Sequence, residues 1–425
     1  MTDRQGHSAS SIESEQANDE IRNPDHTSGN IHRLSQRAKQ TPPSGIRRFF
    51  ELADEMDDIV SLGVGEPDFS APWAARSAAI DALERGKTSY TANRGRSDLR
   101  ANISEHVKQY DLEYDPDEEI LVTAGASEAV DLAMRALVDP GETVAVPKPS
   151  YISYAPSVTF AGGEVRSVPT RAETDFTLTY EDLTAANASE ASALVLCYPN
   201  NPTGAVMTRD ELRDVATFAR EHDLFVLSDE IYSALRYDDE HVSIATLPEM
   251  RERTLVFNGF SKAYAMTGMR LGYALGPQEV IDAMNRIHQY TMLSAPTTAQ
   301  AAAMEAINSC EPAVEKMRQA FDRRRQFVIS RFNELGMDCF EAKGAFYVFP
   351  KCPPGWEDDE EFAEALIHEE RVALVPGRVF GDGGEGHLRV SYASGMDDLK
   401  TALTRIESFL ESYPTSASLE VSDTA

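Results

Sequence analysis

Four short stretches of this chain combine residue types that can do covalent or acid–base chemistry. The first surrounds Lys262, in FNGFSKAYAMTGMRLGY (257–273). Lys262 follows an apolar run and a glycine turn, with Ser261 before it and Arg270 further on. A lysine amine withdrawn from water near other cations loses basicity and becomes a nucleophile that can form a Schiff base with an aldehyde. The ordinary alternative is a lysine reaching water from a helix end. This chain has only nine lysines among 425 residues, so one set among small and apolar neighbours stands out.

The second stretch, LFVLSDEIY (224–232), ends an apolar run in Ser228, Asp229 and Glu230, with Tyr232 close behind. A carboxylate at a strand's carboxyl end can hold a cationic ring nitrogen, and a nearby phenol can donate a hydrogen bond. The same aspartate would also serve as a helix N-cap. In the third, YPNNPTG (198–204), two prolines and a glycine make a rigid turn, and Pro202 holds Asn201 extended. The fourth, TAGASE (123–128), puts small residues at a helix start, where free N–H groups and the positive dipole end can receive a phosphate. Each alone has a plain structural reading; the order and spacing of all four carry the weight.

Their positions depend on the elements around them. Ile120–Thr123, Thr143–Val146, Ala193–Cys197, Leu224–Leu227 and Thr254–Phe257 read as short buried strands. Ser127–Leu137 and Arg209–His222 carry the period of amphipathic helices. Apolar strands alternating with helices predict an α/β fold with a largely parallel sheet. The chemistry-bearing residues gather where the apolar runs end, which is where such sheets place their ligands. After Thr298 the pattern changes to long helices (Gln300–Leu335) and short strands (Ala345–Phe349, His387–Val390), which predicts a second, smaller α+β domain. Residues 1–30 and 414–425 are polar and read as disordered tails.

Forty Lys and Arg against 70 Asp and Glu give a net charge of −30. Such a field repels nucleic acid and anionic membranes. No apolar run approaches the roughly 18 residues of a membrane span, and the N-terminus lacks the apolar segment of a secretory signal. Cys197, Cys310, Cys339 and Cys352 form no C-x-x-C pair, so they read as reduced, mostly buried thiols of a cytoplasmic protein with no metal site. The acidic, lysine-poor composition resembles that of proteins from salt-loving organisms, in which salt screens self-repulsion. An ordinary acidic cytosolic enzyme fits the same numbers.

Taken in order, N-P-T-G, S-D-E-x-Y and S-K-x-x-x-M-T-G-x-R-x-G-Y resemble the signature of the fold-type I pyridoxal-phosphate aminotransferases, class I/II. The resemblance runs from Ser35 to Leu410 and includes LGVGEPDFS (62–70), TSYTANRGRSDLR (88–100), PKPSYISY (147–154), KGAFYVFP (343–350), PGRVFG (376–381) and HLRVSYA (387–393). It is especially close to the archaeal aspartate and aromatic aminotransferases, including the SGIRRFF segment at 44–50.

That resemblance implies the PLP-dependent transferase fold, with a large PLP-binding domain over 76–300 and a small domain from 31–75 plus 301–413. It implies pyridoxal 5′-phosphate as cofactor, bound to Lys262 as a Schiff base, with Lys262 also shuttling the substrate proton. Asp229 would pair with the pyridinium nitrogen, Tyr232 and Asn201 with the 3′ oxygen, and Tyr151 would stack on the ring. Ala126, Ser127, Ser261 and Arg270 would hold the phosphate, joined by Tyr90 of the partner subunit in a homodimer with shared sites. Arg389 would grip the substrate α-carboxylate, helped by Gly65 and Asn201 and flanked by Tyr151.

The implied reaction moves the amino group of an L-amino acid, aspartate or aromatic, to a 2-oxo acid such as 2-oxoglutarate by a ping-pong route. A C–S β-lyase on the same cofactor is the nearest alternative. A PLP-binding regulator would need a DNA-binding domain, and the acidic N-terminal stretch has the wrong sign for one. Three positions depart from the family's habit: Gly259 where a phosphate-binding Ser is common, Tyr151 for Trp, and Arg378 for Ser. Arg94, Arg96 and Arg378 are candidates to read an acidic substrate side chain.

Overall fold

A computed structural model describes residues 34–413 apart from Glu55 and Asp57. The expected tails at 1–30 and 414–425 lie outside the described residues. The chain divides into two units, Met1–Gln40 and Thr41–Ala425. Of the first, the described part is a short helix, Gln36–Gln40, with no buried residue.

The second unit is organised on a seven-stranded sheet. Its strands are β1 (Ile120–Thr123), β2 (Thr143–Lys148), β3 (Glu164–Pro169), β4 (Ala193–Cys197), β5 (Phe225–Asp229), β6 (Thr254–Gly259) and β7 (Gly272–Leu275). Their order across the sheet is β1-β7-β6-β5-β4-β2-β3. Neighbours from β6 to β3 pair in parallel, whereas β7 runs antiparallel to both β1 and β6. The expected α/β fold with a largely parallel sheet is therefore present. Every residue of β1, β4 and β6 is buried, as strands covered on both faces require. At the edge, β3 (EVRSVP) keeps Glu164 and Val165 exposed, and its charges break the apolar run that marks the buried strands.

Helices cover the faces. α1 (Trp73–Glu84) packs on α6 (Thr297–Ser309), and α2 (Ala126–Leu137) on α5 (Gln278–Thr291). α2 buries Ala129, Val130, Leu132, Ala133 and Met134 along one side. Burying each larger apolar side chain contributes about 1.5–3 kcal/mol. α3 (Tyr154–Ala161) follows β2, and α4 (Arg209–Glu221) starts from a capping box in which Thr208 and Glu211 satisfy each other's backbone N–H groups. The helical pattern expected over 300–335 is two helices, α6 and α7 (Glu311–Glu334), interrupted at Cys310 with a proline in the first turn of α7.

A three-stranded antiparallel sheet adds β8 (Tyr347–Val348), β9 (Val375–Pro376) and β10 (Leu388–Ser391), with β10 in the middle. Its register sets Arg389 opposite Val375 and Ser391 opposite Tyr347. Phe321, Phe332, Phe346, Phe362 and Phe409 pack beneath it.

Candidate active site

Parallel strands end on one side of a sheet, and here that side collects the chemistry. Ala126 and Ser127 follow β1, Tyr151 follows β2, Asn201 follows β4, Asp229 ends β5 and Lys262 follows β6. Because β7 runs the opposite way, Arg270 just before it reaches the same edge. Gly65, Tyr232, Ser261 and Arg389 join them, and all eleven of these residues line one cavity of about 300 Å³. Tyr90 does not: it is 80% exposed, outside that cavity.

Lys262 Nζ donates to the Gly65 carbonyl at 2.7 Å and lies 5.7 Å from the centre of the Phe346 ring. Burial brings its ammonium down to about 8, helped by Arg389 and Arg270 and opposed by Glu66 and Asp229. With a midpoint near 8, about a tenth of this lysine is a neutral amine at pH 7, against well under a hundredth for an ordinary lysine.

Burial pushes the Asp229 carboxyl the other way, up to about 6. Two donors hold the carboxylate against that push: Tyr154 Oη reaches Oδ2 at 2.7 Å, and the Ile231 N–H reaches Oδ1 at 3.2 Å. Cys197 stands beside it in register, its thiol raised to about 12 by burial. Tyr232 Oη is 3.1 Å from Tyr347 Oη, and both phenols are raised by burial.

Arg389 is buried in the centre of the small sheet. One Nη donates to Asn201 Oδ1 at 3.0 Å and the other to the Gly63 carbonyl at 2.6 Å, while Nε is buried without a partner. The guanidinium lies 4.7 Å from the Tyr347 ring centre and 4.8 Å from that of Phe380. A buried fork with an unmet donor suits a planar anion such as a carboxylate.

At the far end, α2 begins at Ala126 after Gly125, whose φ of +92° belongs to the region that favours glycine. A Cβ on Gly125 would come within 2.7 Å of an Arg270 Nη, so glycine is also what lets that arginine lie against the helix start. The first N–H groups of a helix have no intrahelical acceptor, and Ala126 and Ser127 present theirs here. With Arg270 and the helix dipole, these groups form an anion cradle.

Three departures from the family's habit now have a physical reading. At Gly259 a Cβ would meet Gly272 Cα at 2.8 Å and the Leu271 carbonyl at 2.9 Å, so a serine does not fit. Tyr151 is a cavity wall, with its ring 5.6 Å from that of Tyr154. Arg378 binds Asp358 at 2.8 Å and Asp359 at 2.7 Å. Arg94 is taken by Asp282 and by two backbone carbonyls, and Arg96 by Asp98. None of these three arginines lines the cavity.

Sequence reasoning left out Tyr154, Tyr347, Cys197, Thr267 and Ile46, which also line it. Tyr154 and Tyr347 lie inside motifs already quoted, but nothing in the sequence tells which phenol reaches Asp229 or Tyr232. Among the described residues no cluster of His, Cys, Asp and Glu could hold a metal, and no helix is long and apolar enough to cross a membrane.

Residues 57–406 match the family model described as aminotransferase class I and II. The chain is 49% identical to the putative aminotransferase YugH of Bacillus subtilis over 89% of its own length and 98% of that protein. It is 42% identical to an aspartate aminotransferase of Pyrococcus abyssi, with the same coverage of both chains. The crystal structure of an aromatic aminotransferase from Pyrococcus horikoshii superposes with a TM-score of 0.82 at 41% identity, covering 86% of this chain and 99% of that one.

Proposed function

The chain belongs to aminotransferase class I and II and is a transaminase, and we propose that it works on pyridoxal 5′-phosphate with an aspartate or aromatic L-amino acid as donor and 2-oxoglutarate as acceptor. One observation carries the cofactor reading. A single cavity holds a lysine amine brought down to about 8, a buried carboxylate and an anion cradle. These are the groups that an aldehyde, a ring nitrogen and a phosphate would need. When bound, pyridoxal phosphate supplies the aldehyde that condenses with amines and a ring that draws electrons from the substrate Cα.

In this reading Lys262 Nζ would hold the cofactor and, once free, would carry the proton between the substrate Cα and the cofactor carbon C4′. Asp229 keeps a proton on the ring nitrogen, and Tyr154 keeps Asp229 ionised. Asn201 and Tyr232 hydrogen-bond the ring oxygen, and Tyr151 covers the ring face. Ala126, Ser127, Ser261 and Arg270 hold the phosphate. Arg389 grips the α-carboxylate of donor and acceptor in turn, with Gly65, Asn201 and Tyr151 shaping that end. The large part over 76–300 carries the cofactor contacts, and 31–75 with 301–413 supplies Gly65 and Arg389.

A homodimer completes the reading. Tyr90, Tyr290, Met292 and Leu293 are exposed, and Asn93 ties the loop near Tyr90 to the end of α5 by a 2.7 Å bond to the Leu293 carbonyl. This apolar surface suits a second copy, to whose site Tyr90 would contribute. The buried, free cysteines suit a reducing cytoplasm.

The three cations lining the cavity all have assigned work, so a donor with an aromatic side chain is favoured over one with a second carboxylate. The test is a panel of amino acids assayed with 2-oxoglutarate at high salt. Release of pyruvate and ammonia without any oxo acid would instead identify a lyase.

A further inference from the structure

Beneath the anion cradle lies a pair that the catalytic reading does not use. Glu128 sits in the first turn of α2, and His288 is fully buried in the last turn of α5. His288 Nδ1 is 2.8 Å from Glu128 Oε1. The other carboxylate oxygen, Oε2, accepts the backbone N–H of Ala124. The Thr123 hydroxyl donates to the Gly125 carbonyl at 2.9 Å, and the same carbonyl accepts the Glu128 N–H at 3.2 Å.

The chemistry of the pair follows from what surrounds it. His288 Nε2 is buried and has no partner. A carboxyl oxygen facing a ring nitrogen at this distance accepts its proton, so Nδ1–H is the donor of the pair. The Glu128 carboxyl is thus held from both sides, by His288 Nδ1 and by the Ala124 N–H. A carboxylate near the N-terminus of a helix is favoured by the dipole. Here it is turned away from the cavity: Oε1 is held by α5 and Oε2 by the strand-to-helix turn. That spends the negative charge on fixing the turn and leaves the Ala126 and Ser127 N–H groups facing the cavity.

We propose that Glu128 and His288 are positioning residues, a buried clamp that fixes the 123–127 turn in the shape that receives the cofactor's phosphate. This rests on the pyridoxal-phosphate reading above. Neither side chain touches the ligand. His288 also accepts the Met292 and Leu293 N–H groups on its carbonyl, so the clamp is anchored where α5 ends.

The experiment measures dissociation constants of the apoenzyme for pyridoxal phosphate, for pyridoxal and for inorganic phosphate, by absorbance and calorimetry. The variants are His288→Leu, which keeps the bulk and removes the donor, and His288→Asn, which restores an N–H near Nδ1. Losing a hydrogen bond to a charged group should weaken pyridoxal phosphate and inorganic phosphate roughly tenfold or more in His288→Leu, leave pyridoxal within about twofold, and recover largely in His288→Asn. Equal loss for pyridoxal and its phosphate would show a general loss of fold and overturn the clamp. So would unchanged phosphate affinity. If the wild-type apoenzyme bound no pyridoxal phosphate at all, the cofactor reading itself would fall, and that outcome is distinct from both.

Discussion

Tyr154→Phe isolates one hydrogen bond with little other change. The ring is 1% exposed in the core under the sheet, and phenylalanine keeps that ring and its packing. Only the hydroxyl 2.7 Å from Asp229 Oδ2 is lost. Asp229 then keeps the Ile231 N–H as its remaining donor in a site whose burial has already raised it to about 6. A hydrogen bond to a charged group is worth about 1.5–3 kcal/mol, and about 1.4 kcal/mol is one pH unit, so the midpoint should climb by roughly 1 to 2 pH units. The sign follows from the role. Asp229 must be ionised to hold a proton on the ring nitrogen, so activity is lost as pH falls through its midpoint. Raising the midpoint moves the acid limb of the kcat/KM profile upward, and the variant should approach wild type only on the alkaline side. The assay is kcat/KM for one donor across about pH 5 to 9, which brackets the expected limbs. A uniform drop at every pH with the limb unmoved would refute the reasoning, because Tyr154 would then only fill space.

Lys262→Ala should still bind pyridoxal phosphate through the cradle but lose turnover and the borohydride-fixed label; undiminished turnover would remove Lys262 from the mechanism. In the wild-type apoenzyme, reductive labelling of Lys262 by an aldehyde should rise with pH through about 8, since the neutral amine reacts, and a midpoint near that of free lysine would contradict the burial argument. Arg389→Lys should raise KM for donor and acceptor together by on the order of tenfold or more, because a lysine cannot replace the fork; an effect on one substrate alone would make Arg389 a side-chain reader. Gly259→Ser should lower the thermal midpoint and not improve phosphate affinity, as its Cβ would strike the Gly272 backbone at 2.8 Å. With a net charge of −30, activity and thermal midpoint should both rise between about 0.1 M and 1 M KCl, where the Debye length shrinks from about 10 to 3 Å; a flat midpoint would make the acidic surface incidental.

The sheet was legible wherever strands are uniformly apolar. ALVLC matches β4 residue for residue, and ILVT matches β1. What escaped was β3, whose charges belong to an edge, and β7, whose first two residues close a motif with three glycines. The long helices expected over 300–335 part at Cys310, where Pro312 is better placed in a first turn than in an interior. At the site, the order of motifs along the chain located the groups that follow strand ends. It could not reveal pairings across the fold. Tyr154 meets Asp229 from 75 residues away and Tyr347 meets Tyr232 from 115, and such partners are set by register and packing. The same is true of Arg94 and Arg378, whose acidic partners on other elements decide where they point, whereas Arg96 is held by Asp98 two residues on.

Arg389 meets the Gly63 carbonyl across 326 residues of chain, near the end of the sequence. The protein is made from the other end. By the time Lys262 leaves the ribosome, β1, β4, β5 and the helix start at Ala126 have already been made, and Arg270 follows within eight residues. At roughly 5–20 residues per second, Arg389 follows the lysine on the order of ten seconds later. A growing chain therefore carries the residues proposed to take an aldehyde and a phosphate before it carries the arginine proposed to grip an amino acid's carboxylate. In the proposed reading, the groups for the cofactor are made first and the grip on substrate late.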